Sequence, residues 1–122
     1  MYNIEFYRTK GGRSPVGDLL EDLLHKAKTN KDARVRHKQI TQYIQFLEDH
    51  GTRIGENVTK HLEGDIWELR PGKGRILFFY FENDTYVLLH HFWKKTQKTP
   101  KREIEKAKAE LDDWKARKGR PR

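Results

Sequence analysis

The sequence predicts an α+β fold, and three observations predict it. Ile66 to Pro100 holds three runs rich in aromatic and β-branched residues, joined by two short turn segments, which is the pattern of a three-stranded antiparallel meander. Two segments before the meander and one after it repeat apolar residues at three- and four-residue steps, the spacing of amphipathic helices. Asn3 to Arg8 alternates Ile4 and Phe6 against Asn3, Glu5 and Tyr7, a first strand expected to pair back into the sheet. With 122 residues, the chain is expected to form one domain over 1–117, followed by a basic, disordered tail over 118–122.

In chain order, Ser14-Pro15 reads as an N-cap followed by proline at the first helical position. Val16, Leu19, Leu20, Leu23, Leu24 and Ala27 form the stripe of the first helix, which Lys26, Lys28 and Lys31 close with cations suited to its C-terminal dipole. Asn30 or a neighbour caps a second helix with the stripe Ile40, Tyr43, Ile44 and Leu47, ended by Gly51 in a left-handed conformation. The two helices read as a hairpin. Thr52 to Glu63 is polar and reads as a loop. The meander turns at Pro71-Gly72-Lys73-Gly74 and at Asn83-Asp84. Its run Ile76 to Phe81 is apolar at nearly every position, which predicts a central strand covered on both faces and leaves open which face Arg75 shares. Thr99-Pro100 repeats the cap-then-proline device ahead of a last helix running to about Lys115, with the stripe Ile104, Ala107, Leu111 and Trp114.

Composition narrows the chemistry. A net charge of +8 favours an anionic partner. The absence of cysteine excludes disulfides, thiolate metal sites and a cysteine nucleophile. No apolar run approaches a membrane span or a signal peptide, so a cytoplasmic protein without membrane contact is expected. HExxH, CxxC, GxSxG and Walker patterns are absent, and neither a metal site nor a cofactor is expected.

The candidate site gathers around the meander. Glu68 and Arg70, two apart on one strand, share a face. They form either a solvated cross-strand ion pair or, with Arg75 across the turn, a clamp for one phosphate, since guanidinium offers a permanent, planar fork of donors. Lys94, Lys95 and Lys98 precede a helix N-terminus, where cations are unfavourable unless an anion shares the site. His90 and His91 alternate across the strand, so only one can join any given site. Lys60 and His61 sit on the loop before the meander, and His61 is a candidate proton carrier. Such a set suits metal-free RNA cleavage, in which the substrate's 2′-hydroxyl attacks the adjacent phosphate. That reaction needs a base, cations for the phosphorane and an acid for the leaving oxygen. Lys95 or His61 would move the proton, clustered lysines titrating nearer neutrality, while Arg70 and Arg75 would stabilise charge.

LEGDIWELRPGKGRILFFYF followed by VLLHHFWKKTQKTPKREIEKAKAELDDW resembles the phage-derived Gp49-like HigB branch of the RelE/ParE toxin superfamily. The marks are Trp67-Glu68-Leu69-Arg70, Arg75 at the head of the next strand, and Phe92 to Pro100. The resemblance implies a RelE-like toxin of a type II toxin-antitoxin system, a ribosome-dependent endoribonuclease cleaving mRNA in the ribosomal A site. It also implies neutralisation by a HigA-type helix-turn-helix antitoxin and higher-order toxin-antitoxin assembly. Arg70, Arg75, Lys95 and His61 are then the catalytic candidates, with Lys60, Glu68, Lys94 and Lys98 as RNA contacts. Glu68 stands where some relatives carry a catalytic lysine, which leaves the general base unassigned. The alternatives are a ParE-like inhibitor of DNA gyrase and a basic nucleic-acid-binding module without activity.

Overall fold

The chain was analysed as a computed structural model, which describes residues 1–118. Its elements are β1 (Asn3–Phe6), α1 (Pro15–Lys26), α2 (Lys31–His50), β2 (Thr59–Glu63), β3 (Ile66–Leu69), β4 (Gly74–Phe81), β5 (Thr85–Trp93) and α3 (Lys101–Lys118). The strands form one mixed five-stranded sheet in the order β1-β5-β4-β3-β2, with β1 parallel to β5 and every other pair antiparallel.

Local signals start the helices where the sequence places them. The Ser14 hydroxyl accepts from the Gly17 amide at 3.2 Å and the Asn30 side chain accepts from the Ala33 amide at 3.0 Å, each satisfying a donor that the first helical turn leaves unpaired. Gly51 ends α2 with a φ of 65°. The stripes of α1 and α2 bury Val16, Leu23, Ala33, Ile40 and Leu47 against Leu69, Ile76, Phe78, Tyr86 and Leu88 on one sheet face. On the other face Ala107, Leu111 and Trp114 of α3 cover Ile66, Leu77, Phe79, Val87 and Leu89. The central strand is therefore β4, covered on both faces as its unbroken apolar run requires. The far end of α3 is tied to the first strand region: the Tyr7 hydroxyl donates to Asp113 at 2.7 Å, and Arg117 donates to the same carboxylate at 2.7 Å.

Four expectations are corrected. Thr59 to Glu63 is a strand, pairing Thr59, Lys60 and His61 with Leu69, Glu68 and Trp67. As a sheet edge it needs no buried alternating face, and polar residues there guard against pairing with another chain, so its period-two signal is weak. The meander thus has four strands. Helix α1 ends at Lys26 with Ala27 as its C-cap, so Lys28 lies beyond it and Lys31 opens α2; Leu24, assigned to the buried stripe, is 57 % exposed. Thr99 does not cap α3: the helix opens at Lys101, and among the described residues the Thr99 hydroxyl accepts from no amide of its first turn, while it donates to Glu68. Helix α3 continues past the expected end near Lys115 through Lys118, so Lys118 is helical rather than tail. The rest of the expected tail, 119–122, lies outside the described residues.

Phe79 is fully buried and meets Trp114 edge-on at a centroid distance of 5.6 Å, so Phe79→Ala is expected to cost about 3–5 kcal/mol in urea unfolding. Leu24→Ala is expected to shift stability by less than about 0.5 kcal/mol in the same measurement.

Candidate nucleic-acid interface and its buried carboxylate

The register of β3, β4 and β5 decides which side chains meet. Glu68 pairs with Leu77 and Leu69 with Ile76, so Glu68 shares the α3 face with Leu77 while Leu69 and Ile76 lie under α2. A bulge in β5 makes Leu77 pair with His90 where Phe78 pairs with Leu88, leaving Leu89 as an extra residue. The bulge turns His90 and Phe92 toward α3 and His91 and Trp93 toward the helical hairpin. Arg75 pairs with Phe92 and so also faces α3. The parity that the apolar run of β4 left open is thereby resolved.

Glu68 is 2 % exposed and anchors the cluster. Its Oε2 lies 3.3 Å from Arg70 Nε and 3.8 Å from Arg75 Nε, and its Oε1 accepts from the Thr99 hydroxyl at 2.5 Å. Arg75 Nη1 donates to the carbonyls of Gly72 at 2.9 Å and Gly74 at 2.7 Å, and Arg70 Nη1 donates to the Glu56 carbonyl at 2.7 Å. Burial draws the Arg75 guanidinium below its ordinary range, an effect that Glu68 opposes and the Arg70 charge reinforces. Among the described residues, Nη2 of both arginines makes no hydrogen bond, so each fork keeps an unspent edge. Through Thr99, Glu68 is fastened to the segment ahead of α3.

Arg75 and Phe92 line a narrow crevice with Lys94, Lys95, Thr96, Gln97, Lys98, Thr99 and Pro100. The Lys94 amide extends the ladder by donating to the Lys73 carbonyl at 2.8 Å, and the Thr96 hydroxyl donates to the Lys98 carbonyl at 2.8 Å, shaping the loop. Lys95 and Lys98 are exposed at its rim. Lys60 stands opposite Glu68 in the ladder and shares its face. His61 does not join this set: it pairs with Trp67, packs against that ring at 5.2 Å, and its Nε2 lies 2.7 Å from the Gly64 carbonyl. The sheet itself separates His61 from Arg75.

A second polar cluster escaped the sequence reading. His90, 2 % exposed, has Nδ1 2.5 Å from Glu110 Oε1 and Nε2 3.0 Å from Glu103 Oε1. Carboxylates only accept unless protonated, so the two hydrogen bonds require two protons among the three groups, giving the triad a net charge of −1 in either arrangement. The signal was present in α3, because Glu103, Ala107, Glu110 and Trp114 fall at i, i+4, i+7 and i+11, on one face. His91 is the converse case, held neutral with its pKa pushed down to about 4 by burial and by the neighbouring His90. Among the described residues no cluster of three or more His, Cys, Asp or Glu could hold a metal ion, and no helix is long and apolar enough to cross a membrane.

A five-stranded sheet with a helical hairpin on one face and a C-terminal helix on the other, carrying buried arginines beneath a lysine-rich loop, defines a basic α+β domain of RelE-like architecture. The family model described as phage-derived protein Gp49-like matches residues 27–112, more than two thirds of the chain. The chain belongs to that family, and through it to the RelE toxin-type superfamily. None of the curated proteins matches the sequence significantly.

Removing the His90 imidazole would leave two carboxylates facing a buried gap. His90→Leu is expected to cost about 3–5 kcal/mol in denaturant unfolding, with much of the loss recovered in His90→Leu/Glu110→Leu. The His91 shift sets a pH dependence. Its folded pKa of about 4 lies below the ordinary 6.5, so the unfolded chain binds the extra proton between those values. The contribution of His91 is complete above pH 6.5 and lost as pH falls toward 4. Urea midpoints are expected to decline less across that window in His91→Leu than in the parent.

Proposed function

We propose that the protein is the toxin of a type II toxin-antitoxin pair, of the HigB kind, and an endoribonuclease that cleaves mRNA in the ribosomal A site. A helix-turn-helix antitoxin of HigA type would be its neutralising partner. The observation that carries this reading is the convergence of Arg70 and Arg75 on one buried carboxylate beneath the Lys94 to Lys98 loop. Family membership supports the toxin part of it.

In this reading the substrate's 2′-hydroxyl attacks the adjacent phosphorus and the 5′ oxygen leaves, so charge must be placed and two protons moved. Glu68 lies at ion-pair distance from both guanidinium groups, and backbone carbonyls accept from Nη1 of Arg70 and of Arg75, which restrains the forks before substrate arrives. Their Nη2 edges then receive the phosphate oxygens, and negative charge growing on the phosphorane meets donors that need no reorganisation. Lys94 and Lys98 hold the backbone, and Lys60 extends the same face toward β2. Lys95, exposed on the loop, is the group free to pass a proton to the leaving oxygen, and the proton of the 2′-hydroxyl is given up to solvent water, since no side chain of the chain is assigned as base. His61, on the opposite face of the sheet, is removed from the proton-transfer scheme.

Induced expression followed by mapping of mRNA 5′ ends tests the reading: new ends inside translated codons are expected, and growth arrest with unchanged transcripts would overturn it. Because Arg75 is buried against Glu68, Arg75→Lys is the informative variant. It keeps the charge, loses the fork, and is expected to lower cleavage about 10²-fold or more. Lys95→Ala, at an exposed position, is expected to lower cleavage by a similar factor with no change in melting temperature.

A further inference from the structure

The ribonuclease reading accounts for Arg75 and the lysine loop but leaves the next residue on β5 without a role. Trp93 is 38 % exposed, whereas Trp114 is buried at 6 %. Its ring is firmly seated. The Arg36 guanidinium lies 4.6 Å from the ring centroid, and His91 meets the ring edge-on at 4.4 Å and 83°. Gly74 makes that seat possible. A Cβ there would come within 2.7 Å of His91 Nε2 and 3.3 Å of Trp93 Cζ3, so the missing side chain lets both rings close over the strand.

Trp93 is also the wall between two crevices. One is lined by Asp32, Val35, Arg36, Gln39, Gly72 and Lys73. The other is lined by Phe92, Lys95, Thr96, Pro100, Arg102 and Glu103, and it shares Phe92, Lys95, Thr96 and Pro100 with the crevice that Arg75 lines. The crevice beside Trp93 and the one that Arg75 lines therefore abut at the end of β5, although the two side chains leave the sheet on opposite faces. Around the ring, Arg36, Lys73, Lys95 and Arg102 outnumber the anions Asp32 and Glu103. A fixed, exposed indole among cations, one strand position from the residue opposite Arg75, is the chemistry that holds an unpaired base beside a bound phosphate.

We propose that Trp93, with Arg36 stacked on it, is a nucleobase subsite that receives an unpaired base of a single-stranded RNA whose phosphate lies over Arg75. The inference rests on the ribonuclease reading for that phosphate and adds a stacking platform that contributes to affinity and to the position of the RNA. Stacking accepts every base through its π face, so the subsite favours unpaired over paired RNA more than it selects a sequence.

The test is anisotropy with a short labelled, unstructured oligoribonucleotide, made uncleavable by 2′-O-methylation, and with the same strand carrying one abasic nucleotide moved along it. The expected result is that Trp93→Ala weakens binding of the intact strand about tenfold or more. Trp93→Phe is expected to retain most of the affinity. One abasic position is expected to weaken the parent by a similar factor and leave Trp93→Ala unaffected. Circular dichroism and thermal melting of both variants establish that the fold is kept. Equal binding by Trp93→Ala and the parent, equal losses for intact and abasic strands, or no binding by the parent would each overturn the subsite. Coupled binding without transcript cleavage in cells would uphold the subsite and sink the nuclease reading. Cleavage together with unaltered binding by Trp93→Ala would do the reverse.

Discussion

Glu68 is the constraint on which the rest of the site depends. A carboxylate almost wholly removed from water is tolerable only when cations and donors surround it, and here Arg70, Arg75 and Thr99 do so. Those partners come from the residue that follows β3, from β4 and from the loop ahead of α3, so one buried charge fastens three segments. The same contact sets the order of the arginines. Guanidinium groups hydrogen-bonded at Nη1 and paired with a buried carboxylate have lost much of their side-chain freedom before any ligand arrives, which is the preorganisation that electrostatic recognition of phosphate needs.

The β5 bulge is the second determinant. One additional residue at Leu89 reverses the parity of the strand from His90 onward. Phe92 thereby faces Arg75 and the crevice, and Trp93 faces Arg36 on the hairpin side. His90 is sent between two α3 glutamates and His91 into a site where it stays neutral. Two adjacent histidines of the same type thus occupy opposite electrostatic environments. His90 also ties α3 to the sheet beside the crevice, so the helix that carries Glu103 to its rim is held by polar as well as apolar contacts.

Much of this architecture was legible beforehand because its signals are local. Ser14-Pro15 and Asn30 start helices through their own side chains, Asn83 and Asp84 adopt the positive φ their turn requires, and the unbroken run from Ile76 identifies the central strand. The edge strand Thr59–Glu63 was illegible because its pairing is supplied by the neighbouring backbone and its side chains carry little periodicity. Thr99 followed by proline carries the signature of a helix cap, but α3 opens only at Lys101, and packing against the sheet sets the Thr99 hydroxyl beside the buried Glu68 carboxylate, to which it donates.

By itself the sequence determined the element order, the two apolar faces of β4, the basic character of the surface, and the shared face of Glu68 and Arg70. These follow from side-chain period and charge, which are properties of single segments. Only the tertiary structure decided that Arg75 lies on that face, that His61 does not, that Glu68 takes the Thr99 hydroxyl ahead of α3, and that His90 sits between Glu103 and Glu110. The physical reason is common to all four. Each depends on register between strands or on packing between elements, and a bulge of one residue is enough to send a side chain to the other side of the sheet.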